Sequence, residues 1–165
     1  RWISVNLGNC EMELFDLLRP EAVRVMSKVS SKKRLIAALG DLAQSALGLD
    51  SGDTVAALQE RESLGPTGVG NGVALPHARL PGVERVMGSF ILLETPVMFD
   101  AVDQLPVDIV FALFAPQNAG FEHLSALAKV SRLLRDMDLR NKLRANPNSK
   151  TLYALLTEAQ TMKAA

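Results

Sequence analysis

Two apolar runs set close together, VERVMGSFILLE at 83–94 and LPVDIVFALFAP at 105–116, constrain the fold of this chain more than any other feature. Their branched and aromatic residues run on continuously instead of alternating with polar ones, the pattern of strands buried on both faces. Each is about half the roughly 20 residues that a membrane-spanning helix requires. They therefore read as two central strands, with the turn-rich TPVMFDAVDQ between them. A sheet buried on both faces needs helices above and below it.

The flanking segments supply those helices. EAVRVMSKV reads as a short strand, and SSKKRLIAALGDLAQSALG then places Leu35, Leu39, Leu42 and Ala46 at helical spacing. Ser30 or Ser31 can cap that helix and Gly48 can stop it. A second helix, DTVAALQERES, takes its cap from Asp50 or Ser51 and ends at Gly65. GPTGVGNGVALPH is broken by Gly65, Pro66, Gly68, Gly70, Gly72 and Pro76 and reads as a loop running into a short strand. Beyond the central strands, GFEHLSALAKVSRLLRD is helical, and NPN separates two further helices, DMDLRNKLRA and SKTLYALLTEAQ. Helices before, between and after buried strands imply an α/β fold, a three-layer α/β/α sandwich around a central mixed β-sheet.

With 165 residues the chain has the size of one domain and can bury a core without disulfides or metal. Eighteen basic residues balance eighteen acidic ones, so no overall field draws it to nucleic acid or anionic lipid, and a charged ligand must be held locally. Cys10 is the only cysteine; without a partner for a disulfide, a reducing, cytoplasmic setting is the simpler expectation. The opening RWISVN carries no methionine and no leader pattern. Residues 1–10 read as a tag or upstream segment and 11–165 as a single domain.

The glycine loop does not match a nucleotide site. Gly68, Gly70 and Gly72 lack the third dinucleotide glycine, since position 73 is Val73, and no P-loop lysine comes after them. Such glycines do allow close backbone approach to an anion. The loop ends on His77, one of only two histidines. A neutral imidazole offers one free lone pair while its other nitrogen is held by a hydrogen bond, so it can attack phosphorus without a separate base. Pro76 fixes its own torsion and keeps Leu75 extended, presenting the ring at a defined place. The plainer alternative is a histidine that ends a strand and bonds a loop carbonyl.

His123 falls in the first turn of a long helix, where a neutral ring is favoured and can donate to phosphate; a half-exposed helix-start histidine is the alternative. Arg61, in QERESLG, can reach the same cavity with a forked guanidinium, or else satisfy carbonyls at its helix end and pair with Glu60 or Glu62. Asp100, Asp103 and Asp108 flank the turn between the central strands, as a metal or acid/base cluster or, more often for such aspartates, as turn formers. Lys32, Lys33 and Arg34 at a helix start mark a partner surface or a solvated face. Two distant histidines and one cysteine make a poor zinc set, and Ser89 has no nucleophile-elbow motif around it.

RESLGPTGVGNGVALPHARLPGV resembles the active-site signature of the phosphotransferase-system enzyme IIA family of fructose/mannitol type, and more closely its nitrogen-regulatory branch. VDIVFALFAP followed by EHLSALAKVSRLLRD resembles the second block of that family, and the likeness runs from Leu14 to Leu156. It implies an α/β/α sandwich in which His77 is phosphorylated with His123 and Arg61 beside the phosphoryl group. It also implies a donor that is a small histidine phosphocarrier protein (HPr- or NPr-like), charged from phosphoenolpyruvate through enzyme I, and neither metal, nucleotide nor other cofactor. The chain departs from many relatives at Pro66, where they carry serine, and at Ala78 and Arg79, where they carry Gly-Lys. These changes bear on partner choice.

The resemblance implies a phosphohistidine carrier acting as a nitrogen/potassium-type regulatory protein, binding a transporter or sensor kinase according to its phosphorylation state. A phosphoryl group adds up to about two negative charges to a docking face, enough to switch such a complex. The alternative is a sugar-specific component that passes the group to a IIB domain; sugar-type components commonly accompany IIB and membrane domains, and this chain contains neither. Contact with nucleic acid and insertion into membrane are not expected.

Overall fold

A computed structural model describes residues 13–164, so the expected upstream segment 1–10, with Cys10, lies outside the described residues. After a short helix, α1 (Leu14–Leu17), strand β1 (Leu18–Met26) leads into helices α2 (Lys32–Leu47) and α3 (Ser51–Ser63). Strands β2 (Gly68–Gly70), β3 (Val73–Ala74), β4 (His77–Leu80), β5 (Met87–Val97) and β6 (Val107–Pro116) come next. Helices α4 (Phe121–Leu134), α5 (Met137–Ala145) and α6 (Ser149–Ala164) complete the chain.

The six-stranded sheet runs in the order β1-β5-β6-β3-β2, with β4 also on β6. The two apolar runs form its antiparallel centre, with Phe90 opposite Phe111. β1, β3 and β4 each join it in parallel, which makes the sheet mixed. Along β6 the side chains alternate. Ile109, Phe111 and Leu113 belong to the core shared with Val130 of α4, Leu139 of α5 and Leu152 of α6, whereas Val110, Ala112 and Phe114 belong to the core shared with Leu35 and Leu39 of α2 and Leu58 of α3. Helices thus cover both faces, the arrangement that continuous apolarity demands.

Local signals act where the sequence places them. Ser31 accepts the amide of Arg34 at 3.2 Å to cap α2, Gly48 closes that helix with φ at 71°, and Asp50 caps α3 through the amide of Asp53 at 2.9 Å. Several boundaries differ, among them three in the sheet. β1 starts at Leu18 instead of Glu21, with a register irregularity before Val23; as an edge strand it tolerates Pro20, which has no amide to donate. β5 extends through the expected turn to Val97, opposite Val107. The glycine loop contains a hairpin, β2 on β3.

The hairpin sets the place of His77. Val73 and Ala74 pair with Ile109 and Val110, and His77 and Ala78 pair with Leu113 and Phe114, at one constant offset. β3 and β4 are therefore one line of chain along β6, interrupted at Leu75 and Pro76 because proline cannot donate to the ladder. His77 opens a strand instead of closing one.

Gly68 sits where β2 meets the turn before β6, its carbonyl accepting the amide of Val102 at 3.1 Å. A Cβ there would lie 2.7 Å from the Cβ and 2.8 Å from the Cα of Ala101. Backbone has to move to admit it, so Gly68→Ala is expected to destabilise the fold by about 1–3 kcal/mol, read as a lower urea midpoint with an unchanged slope.

Candidate active site

The carbonyl of Leu75 and the Nδ1 of His77 lie 2.8 Å apart. A carbonyl only accepts, so Nδ1 carries the proton and Nε2 keeps the lone pair. The Nε–H of Arg61 donates to that Nε2 at 3.2 Å. The local sequence builds this arrangement. Pro76 holds Leu75 extended with its carbonyl turned to the ring, and Arg61 reaches over from the last turn of α3.

Arg61 also donates through Nη1 to the carbonyl of Gly65 at 3.1 Å. Arg61 thus satisfies a carbonyl just past its helix, as the plainer reading expects, and at the same time reaches the imidazole, without the expected pairing to Glu62. Its acidic neighbour Glu62 has other partners, accepting from the amide of Thr67 at 3.1 Å and from the Thr67 hydroxyl and pairing with Lys32 at 2.9 Å. In the sequence Glu62 stands out only as a partner for Arg61. The signal for its actual role is a long-range one, a lysine on a different helix.

His123 stands on the first turn of α4 with its ring 5.3 Å from that of His77 and nearly perpendicular to it, at 73°. It is 5% exposed, buried instead of half-exposed, and its Nε2 has no hydrogen-bond partner among the described residues. A buried polar atom without a partner costs about 1–3 kcal/mol. With the proton on that Nε2, the ring offers a free donor to an anion's oxygen beside His77. α4 also begins at Gly120 without a side-chain cap, leaving first-turn amides without a side-chain acceptor.

Burial lowers the pKa of His123 to about 4, helped by the charges of His77 and Arg79. His77 is lowered too, by burial first and by Arg61, against the raising effects of the Leu75 carbonyl and of Glu62. Both rings are thus held toward the neutral form that has a lone pair to give. The unfolded chain binds a proton at His123 near the ordinary value of 6.5 that the folded chain refuses until about 4. Folding stability therefore falls as pH drops through that window. Chemical denaturation at pH 7 and pH 4.5 is expected to show a smaller drop for His123→Gln than for the native chain.

The remaining candidates have separate partners. Asp103 accepts from the amides of Asn71 at 2.9 Å and Leu105 at 3.1 Å, a turn former, and Asp108 forms a forked pair with Arg144 at 2.8 and 2.9 Å. Asp100 lies 3.5 Å from Lys32. Among the described residues no group of three or more histidine, cysteine, aspartate or glutamate side chains is placed to hold a metal. Arg144, which nothing in the sequence singles out, also donates to the carbonyl of Asn71 at 2.8 Å and so fixes the tip of the β2–β3 hairpin. Gly72 at that tip has φ at 78°, and a Cβ there would run into Arg144 and Asp108. No described helix is long and apolar enough to cross a membrane.

Residues 16–159 match the family described as phosphoenolpyruvate-dependent sugar phosphotransferase system, EIIA 2. A nitrogen regulatory protein of Bradyrhizobium diazoefficiens is 43% identical over 145 residues, covering 88% of this chain and 95% of that protein. The crystal structure of nitrogen regulatory protein IIA-Ntr from Neisseria meningitidis superposes with a TM-score of 0.80 at 38% identity, covering 87% of this chain and 99% of the other. A fructose-specific EIIA component of Haloferax volcanii is 34% identical over 148 residues, covering 89% of this chain and 91% of that one.

Proposed function

The chain belongs to the phosphoenolpyruvate-dependent sugar phosphotransferase system EIIA 2 family, and we propose that it works there as a phosphohistidine carrier with a nitrogen-regulatory role. One observation supports this above the others: His77 holds its proton on Nδ1 against the Leu75 carbonyl and points an unprotonated Nε2 at the Arg61 guanidinium.

The donor is a histidine phosphocarrier protein bearing a phosphoryl group on its own imidazole. The Nε2 lone pair of His77 attacks phosphorus, the donor's N–P bond breaks, and the donor nitrogen keeps that electron pair. Nδ1 keeps its proton on the Leu75 carbonyl throughout. Transfer between two imidazoles exchanges one N–P bond for another, so the site contributes position and oxygen contacts more than driving force. Arg61 moves from the nitrogen to the phosphoryl oxygens, and the unsatisfied Nε2 edge of His123 takes another of them. No metal or nucleotide takes part.

The regulatory role rests on the 43% identity to a nitrogen regulatory protein, against 34% to a fructose-specific component. In that role the phosphoryl group at His77 switches binding of a target such as a transporter or sensor kinase in the cytoplasm. The test is intact mass after incubation with phosphoenolpyruvate, enzyme I and phosphocarrier. One acid-labile phosphoryl group per chain is expected; none, with a phosphocarrier shown to be charged, would refute the carrier. The Haloferax relative supports a second reading, sugar-specific transfer, which predicts that the charged chain is rapidly discharged by a IIB domain.

A further inference from the structure

The loop from Leu64 to Pro76 carries the Leu75 carbonyl that selects the tautomer of His77, yet it has little regular structure of its own. Its far tip is held by Asp103 and Arg144 on Asn71. Its near end is held by Arg61 on the Gly65 carbonyl and by one carboxylate. Glu62, with a side chain 7% exposed, pairs with Lys32 and accepts both the amide and the hydroxyl of Thr67. Thr67, 3% exposed, in turn accepts the amide of Leu75 on its carbonyl at 2.9 Å, and the carbonyl of Leu75 accepts the Nδ1–H of His77 at 2.8 Å.

From this chain of contacts we infer that Glu62 is a positioning residue for phosphoryl transfer at His77. It anchors Thr67, and through the Thr67–Leu75 backbone bond it holds the carbonyl that keeps the proton on Nδ1. The functional meaning of this hold rests on the carrier reading, whereas its structural content concerns one imidazole. The tautomer of a histidine is set by the hydrogen bonds at its two nitrogens, so a carbonyl free to drift leaves only the Arg61 Nε–H to keep the proton off Nε2 and lets a fraction of the rings carry it there, where it blocks the attacking lone pair. Lys32 has further support from Asp100 at 3.5 Å and from the ring of Phe99 at 4.7 Å. It stays in place while Glu62 does the holding, and the enclosed carboxylate is tolerated because it is paired and bonded on both oxygens.

The test uses the full chain labelled with nitrogen-15 histidine. Long-range proton–nitrogen spectra at neutral pH report which nitrogen of His77 carries the proton, independently of any phosphoryl transfer. The native protein is expected to show Nδ1–H alone. Glu62→Ala is expected to show a mixture of tautomers and an initial rate of phosphoryl uptake lower by about tenfold or more, as misplacement of a reacting group costs. Glu62→Gln keeps an oxygen for the Thr67 amide and should restore most of the tautomer preference, a rescue that loss of stability alone would not produce. Thr67→Val keeps volume and amide but removes the hydroxyl, and should move the tautomer in the same direction by less. A Glu62→Ala protein that melts cooperatively with a single Nδ1–H tautomer and the native rate would overturn the inference. If that variant does not fold, an unchanged tautomer in Thr67→Val overturns it. A tautomer that responds to Glu62 in a protein that takes up no phosphoryl group would refute the carrier while leaving the positioning of His77 intact.

Discussion

His77→Ala is expected to take up no phosphoryl group at all from a charged phosphocarrier, while folding and melting close to the native protein. The loss should be complete because nothing nearby substitutes for the Nε2 lone pair. His123 is the one other imidazole of the chain, and its ring sits on α4 at 5% exposure, too enclosed to meet a donor protein. Arg61 is a cation without a lone pair to give. The fold should be little affected, since His77 is only half-buried at the first residue of β4 and its backbone pairing with Leu113 does not need the ring. Intact mass after the relay reaction decides it. A phosphorylated His77→Ala protein would move the acceptor elsewhere and with it the whole geometry of attack.

Much of the fold is legible in the sequence because it rests on local periodicity. Leu35, Leu39 and Leu42 repeat at helical spacing and all reach full burial on one face of the sheet, and the unbroken apolar runs become the central strand pair. What the sequence hides is pairing between distant, short segments. β2 and β3 are three and two residues long, too short for any period to register, and their Gly-rich composition reads as loop. They form because β6 offers an edge, and because Arg144 from α5 closes the tip.

The site divides along the same line. His77, His123 and Arg61 stand out by residue type and by neighbours in the chain, and the fold does bring them together. Glu62 does not stand out, since a glutamate at the end of a charged helix looks like solvated surface. Only the packing of α2 beside α3 brings Lys32 to it and encloses the pair. The three aspartates show the opposite case, with the turn-former alternative holding for Asp103. Close in sequence, they suit a shared cluster, but the turn between β5 and β6 sends Asp103 to the hairpin and Asp108 to Arg144.

Arg61→Ala is expected to move two quantities in opposite directions. In the resting site the guanidinium caps Nε2 at 3.2 Å and its charge lowers the pKa of His77, so its removal should raise the titration midpoint of His77 and make the nitrogen more basic. If basicity governed the reaction, transfer would speed up. The same guanidinium is also the nearest cation able to fork onto phosphoryl oxygens as charge gathers there, and removal of one such donor costs about 100-fold or more in rate. The second effect is the larger, because an imidazole already mostly neutral at pH 7 has little further lone pair to release. A slow but detectable transfer, by about 100-fold, together with a raised midpoint for His77, is therefore the signature of a residue that binds the migrating group. Arg61→Lys should recover the charge but little of the rate, since a compact ammonium lacks the planar fork whose separate nitrogens hold the Gly65 carbonyl and face the phosphoryl group. Rates for Arg61→Ala equal to the native rate would mean that the guanidinium only guards the lone pair, and that the oxygens are held by His123 and the amides of α4.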